Sequence, residues 1–134
     1  MNALEDALYT QLAGGTELTA ALNNGTASLF TPIAAQGAAL PLVRFFMSSG
    51  LDDNDSPRRA KTYMYSVIAE ADDAKEAGDI DALVDTRLHN ATLTVTGWND
   101  YWCRRESDVN YEEKTQGAGL IFHRGAQYRI RMAE

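Results

Sequence analysis

The sequence predicts an α+β fold: a mostly antiparallel or mixed sheet of about five strands with helices packed on one face. Three observations carry this expectation. Leu4, Leu8 and Leu12 recur at steps of four in the opening residues, a helical period. Two separated stretches, AKTYMYSVIAEA (60–71) and GLIFHRGAQYRIRM (119–132), alternate with a period of two. Between them lies one amphipathic helical stretch near residues 72–90, so the strands otherwise follow one another in hairpin-like succession.

Taken in order, NALEDALYTQL predicts a helix over residues 2–13, with Glu5 and Asp6 near its start, where the helix dipole favours acids. Gly14-Gly15 ends it, and Thr16 is expected to cap a short second helix whose face holds Leu18, Ala21 and Leu22. Asn23, Asn24 and Gly25 close that helix. ASLF (27–30) is a short apolar strand stopped by Pro32. PLVRFFMSS (41–49) is a second strand with proline at its first position, where a missing N–H does no harm. The polar loop GLDDNDSPRR (50–59) then leads into AKTYMYSVIAEA. There Tyr63, Tyr65 and Val67 share one face, with Met64 and Ile68 on the other, and the loop suits an antiparallel pair.

Asp72 or Asp73 is expected to cap a helix running to Asn90, with Ile80, Leu83, Val84, Arg87 and Leu88 as its inner stripe and Gly78 marking a break near its start. ATLTVTGW (91–98) reads as β structure leading into YWCRRES, and Val109–Lys114 as a polar connection. In the closing strand Tyr128, Ile130 and Met132 alternate with Gln127, Arg129 and Arg131, one face apolar and the other wet. That strand is expected at a sheet edge, where Arg129 and Arg131 discourage random pairing yet admit a chosen partner.

A chain of 134 residues fits a single domain, residues 1–134, and 45% hydrophobic with 23% charged residues is ordinary for a globular protein. The net charge of −7 and pI near 4.7 argue against a domain that grips nucleic acid through its phosphates. No Lys or Arg precedes Arg44, whereas Arg104, Arg105, Lys114, Arg124, Arg129 and Arg131 crowd the last third. These read as solvated sheet faces or as charge-paired subunit contacts. Cys103 is the one cysteine, which excludes an intrachain disulfide and points to a reducing compartment. No basic segment followed by an apolar core opens the chain, and the uncharged run Leu18–Val43 is broken by Asn23, Asn24, Gly25, Pro32 and Gly37. The expectation is therefore a soluble protein, made in the cytoplasm, with no secretory signal and no membrane partner.

The residues offer little chemistry. Cys103, His89 and His123 are the candidates for a thiol–imidazole pair, but Cys103 sits inside a strand pattern and reads as packing. His89 lies at a helix C-terminus, where a partial positive charge suits the dipole. Asp52–Asp55 invites a calcium loop, yet counted from Asp53 the required glycine and glutamate positions hold Arg58 and Met64. A loose cation site or a solvated loop are the readings left. GGTELT and GTASLF are not followed by the GK[ST] of a phosphate-binding loop, and HExxH, CxxC and GxSxG do not occur. Tyr101 and Trp102 beside Arg104 and Arg105 have the composition of a base-stacking platform, which the acidic balance disfavours. Trp98 and Tyr101 read instead as anchors of a sheet face or an interface. No catalytic, cofactor-binding or metal-binding residue is predicted.

The whole arrangement resembles the tail-completion, or tail-terminator, proteins of long-tailed bacteriophages. The resemblance is carried by LEDALYTQLAGGTELTAAL, by AAQGAALPLVRFF with its small-residue loop ending in proline, by TYMYSVIAEA and the Ala-rich acidic helix ending in RLH, and by YEEKTQG before a strand ending in YRIRM. The sequence departs from the usual form in a longer DDAKEAGDID segment and in a heavier aromatic cluster around Trp98, Tyr101 and Trp102. The resemblance implies a virion protein that forms a ring, commonly of six copies, on the end of the tail tube. Such a ring stops polymerisation and offers a surface to the head or neck connector. It implies no active site, no cofactor and no specific nucleic-acid binding. A neck protein joining head to tail, and a small α+β enzyme or ligand-binding domain, are the alternatives. In this frame Ala34, Gln36, Gly37, Ala38, Ala39 and Leu40 form an uncharged loop suited to lie against a neighbouring subunit or the tube end, because small side chains allow close approach and little must be desolvated. The other reading is a loop folded over its own core.

Overall fold

Leu4, Leu8 and Leu12 are fully buried along one side of α1 (Asn2–Ala13), as their spacing predicts. The chain continues through α2 (Thr16–Ala21) and a 3-10 turn (Gly25–Ser28) into β1 (Leu29–Phe30), β2 (Leu42–Asp52), β3 (Ala60–Ala71), α3 (Ala74–Leu88), β4 (Asp100–Thr115) and β5 (Gly119–Ala133). The computed structural model describes residues 2–32, 34, 37–54, 57–115 and 119–134.

The strands form one five-stranded sheet in the order β1-β2-β3-β5-β4. β1 is parallel to β2, with Leu29 opposite Val43, and every other pairing is antiparallel, so the sheet is mixed. One face carries Val43, Phe45, Tyr63, Tyr65, Val67, Cys103, Ala126, Tyr128, Ile130 and Met132, and the helices pack there through Leu4, Leu8, Leu12, Leu18, Ile80, Val84 and Leu88. The fold is therefore α+β with helices on one face. The period-two alternation sends Arg44, Phe46, Ile68, Glu70, His123, Arg129 and Arg131 to the helix-free face.

α3 begins where the sequence places it: the Asp73 carboxylate accepts the Glu76 backbone N–H at 3.3 Å. The helix runs unbroken through Gly78. Arg87 leaves the inner stripe to bind the Gln11 carbonyl through Nε (2.9 Å) and Nη2 (2.8 Å), while the Gln11 amide donates to the Arg87 carbonyl at 2.7 Å. This exchange ties the last turns of α1 and α3 together. Gly125 marks the tightest strand approach, since a Cβ there would meet the Val67 carbonyl oxygen and the Ile68 Cα.

Five further expectations are corrected. Thr16 is the first residue of α2 rather than its cap; Gly15 holds the cap position without a side-chain bond. The first strand is only Leu29–Phe30, because the chain before it winds into the 3-10 turn. Residues 91–99 are not a strand: Leu93 and Val95 alternate as a strand would, but they bury into the core from an irregular segment. Val109–Lys114 is not a connection but the outer half of β4, paired residue by residue with β5. Finally, β5 is not an edge; it lies between β3 and β4. Alternating Arg129 and Arg131 report a solvated face, and an interior antiparallel strand with one wet face shows the same alternation.

Candidate functional site

The loop between β1 and β2 is anchored where it enters β2. Asn23 holds the β2 side, its side-chain amide donating to the Leu40 carbonyl (3.2 Å) and its backbone N–H to the Pro41 carbonyl (3.0 Å). The peptide bonds before Pro32 and Pro41 are cis, and Gly37 takes a left-handed φ of 76°. Gly37 and Ala39 are exposed, while Ala34, Ala38 and Leu40 are half-buried. Gln36 lies outside the described residues.

Ala34 borders a recess lined by Arg44, Glu70, Tyr111, Glu113 and His123 on the helix-free face. Glu70 is held by Arg44 Nε at 2.8 Å. His123, 3% exposed, lies between two carboxylates: Nε2 is 3.1 Å from Glu113 and Nδ1 is 3.8 Å from Glu70. Tyr111 stacks on its ring at a centroid distance of 4.2 Å. The imidazole thus links β3, β4 and β5 from within one strand, while Cys103 lies on the opposite, helix-covered face. Burial pushes the Cys103 thiol up to about 12, with the Asp85 charge adding to it, so it is a neutral packing group near neutral pH.

The other predicted residues scatter around the sheet. Trp98 and Tyr101 are half-buried against the molecule's own core, and the Tyr101 hydroxyl donates to the Val95 carbonyl at 3.0 Å. Arg129 pairs with Glu106 at 2.8 Å and Arg131 with Asp53 at 3.1 Å, both on the helix-free face. The sequence-predicted set therefore divides into the loop at one place and two aromatic and two basic positions elsewhere. Asp52 and Asp53, singled out as possible cation ligands, are engaged in ion pairs with Lys61 (3.2 Å) and Arg131; Asp55 lies outside the described residues. Among the described residues no group of three acids, His or Cys is arranged to hold a metal.

Sequence reading missed a network on the helix side of β4. Arg105 binds both oxygens of Asp81 (3.1 and 2.9 Å), Asp108 (2.9 Å) and the Tyr128 hydroxyl (3.3 Å), and Tyr128 in turn donates to Asp85 at 3.1 Å. The hydrogen bond to Asp81 holds the guanidinium far above its already high range, and burial keeps the Tyr128 phenol neutral. The signal was faint: Asp81 and Asp85 one turn apart beside the apolar stripe of α3.

The two ends of the sheet are open. β1 covers β2 only at Val43 and Arg44, so from Phe45 to Asp52 no described strand lies outside it. At the other end, Asn90 N–H bonds the Cys103 carbonyl (2.8 Å) and His89 Nδ1 accepts from Arg105 N–H (3.1 Å), which covers the start of β4. Beyond the bulge between Arg105 and Ser107, β4 has no described strand on its outer side.

No protein-family model and no curated protein sequence matches the chain. Among solved structures it is similar to a chain in the virion of a native gene transfer agent (GTA) particle, with a TM-score of 0.76 and 20% sequence identity. The similarity spans 99% of this chain and 96% of that chain, so the two share the whole fold from α1 to β5.

Proposed function

We propose that the chain is a structural protein of a phage-like virion, a tail-terminator domain spanning residues 1–134. It forms a ring, commonly of six copies in the proteins it resembles, on the end of the tail tube, stops tube growth and presents the surface that joins the head or neck. The observation that carries this reading is the end-to-end fold similarity to a chain of a gene transfer agent virion, which agrees with the resemblance in the sequence. The partners are then other copies of the chain, the tube protein and a head or neck connector, and the virion is its destination. The charges fit such a role. A ring of subunits each carrying −7 repels nucleic acid and lets a genome pass without adhering. The chain works by shape: Cys103 is held as a buried thiol, and Ala34, Gly37, Ala38, Ala39 and Leu40 offer little to desolvate.

The test is to image particles made without this protein, and to add the purified protein to growing tubes. Overlong or headless tails, corrected by the wild-type chain, are expected. Tails of normal length that still fail to join heads would instead favour the neck role. Normal, fully joined particles would refute both.

A further inference from the structure

We propose that copies of this chain join edge to edge, the open side of β2 in one copy pairing antiparallel with the open outer half of β4 in the next. This rests on the reading that the chain assembles with itself and adds the elements that meet.

An edge strand normally protects itself from other chains with charge, proline or a covering segment. Among the described residues no strand covers the β2 edge beyond Arg44, and between Arg44 and Asp52 the sequence FFMSSGL holds no charged residue and no proline. It also carries Leu51, 63% exposed, the most exposed large apolar side chain among the described residues, and Met47, 43% exposed. A row of unpaired backbone groups flanked by exposed apolar side chains is a template for another strand.

The occupant follows from charge, direction and face. β4 offers the other open edge, and its outer half carries Glu106, Asp108, Glu112 and Glu113. Lys114 is the one cation of that half and each carboxylate is paired within its own subunit, so two such edges would set net acidic strands side by side, which disfavours β4 against its own copy relative to an uncharged strand. β2 and β5 run one way and β3 and β4 the other. Copies related by rotation about an axis along the strands therefore bring β4 against β2 in the antiparallel sense, the stronger ladder. On the helix-free face Leu51 then meets Val109, with the 42%-exposed Tyr111 two positions further along β4. Because the joined surfaces differ, the contact is heterologous and closes only as a ring.

The test uses Leu51→Cys and Val109→Cys, singly and together, treated with a short bis-maleimide across a concentration series and run on denaturing gels. The paired variant is expected to give a ladder of covalent oligomers ending at the closed ring, and each single variant only monomer. Dimers from Leu51→Cys alone would mean that β2 pairs with β2 and would overturn the proposal. So would rings visible in negative stain with no crosslink in the paired variant, an outcome that leaves the ring reading intact. A ladder that never closes, in a protein that also fails to cap tubes, would keep the edge pairing and sink the terminator reading. As a check independent of the cysteines, Leu51→Lys is expected to weaken self-association about tenfold or more with monomer melting unchanged, since its side chain lies in solvent.

Discussion

Arg105 binds Asp81, Asp108 and the Tyr128 hydroxyl at once, and its removal leaves Asp81 and the Tyr128–Asp85 bond without their common cation. Its side chain is about one-fifth exposed, so solvent screens part of the interaction. Arg105→Ala is expected to cost about 2 kcal/mol, read as a lowered midpoint in urea. Arg105→Lys should recover little, because a single ammonium cannot span both oxygens of Asp81. Cys103 gives a second prediction at this scale. Its folded-state value of about 12 lies above the reference value of 9.0, so its contribution to stability is complete below pH 9 and fades as pH climbs toward 12. Native protein at pH 8 is expected to resist iodoacetamide and to react fully once unfolded; rapid labelling of the folded chain would contradict its burial.

Elements that bury a periodic face were legible in the sequence: α1 through its leucines, α3 through Ile80, Val84 and Leu88, β3 through Tyr63, Tyr65 and Val67. The outer half of β4 was not, because Ser107–Thr115 is exposed or half-exposed and mixes charges on both faces. Pairing with β5 holds it, and pairing leaves no imprint on hydropathy. Residues 91–99 misled for the opposite reason: Leu93 and Val95 have the period of a strand but no ladder. Of the candidate site, the uncharged loop could be read from composition alone, whereas the Arg105 network and the open edges depend on residues far apart in the chain. Strand packing yields a further test. Gly125→Ala would press a methyl group into the β3 backbone at Val67 and Ile68, and the rigid ladder on both sides of β5 gives it nowhere to go. A loss of about 3 kcal/mol is expected, measured by thermal or denaturant unfolding.

For the whole molecule the question is which surfaces are spent on the fold and which are left for assembly. The core lies under the helices, while Gly37 and Ala39 of the loop after β1, the outer half of β4 and the outer end of β2 stay accessible. The paired substitution Ala38→Asp with Ala39→Asp separates the two readings of the loop. If the loop serves assembly, rings or tube-end binding are lost while monomer melting holds; a lowered melting temperature would assign the loop to the subunit's own core.

The reciprocal bonds between Gln11 and Arg87 join residues 76 positions apart through one guanidinium and one amide. A first helix normally frays from its free end, exchanging amide protons long before the rest of the chain lets go. Here its final turn is bolted to the end of the last helix, so amides from Leu8 to Leu12 should exchange on the timescale of global opening. Arg87→Ala should release them selectively, in hydrogen–deuterium exchange, while the amides of β3 and β5 keep their protection. α1 is thus latched to α3, and a disturbance of either helix will be felt at the other.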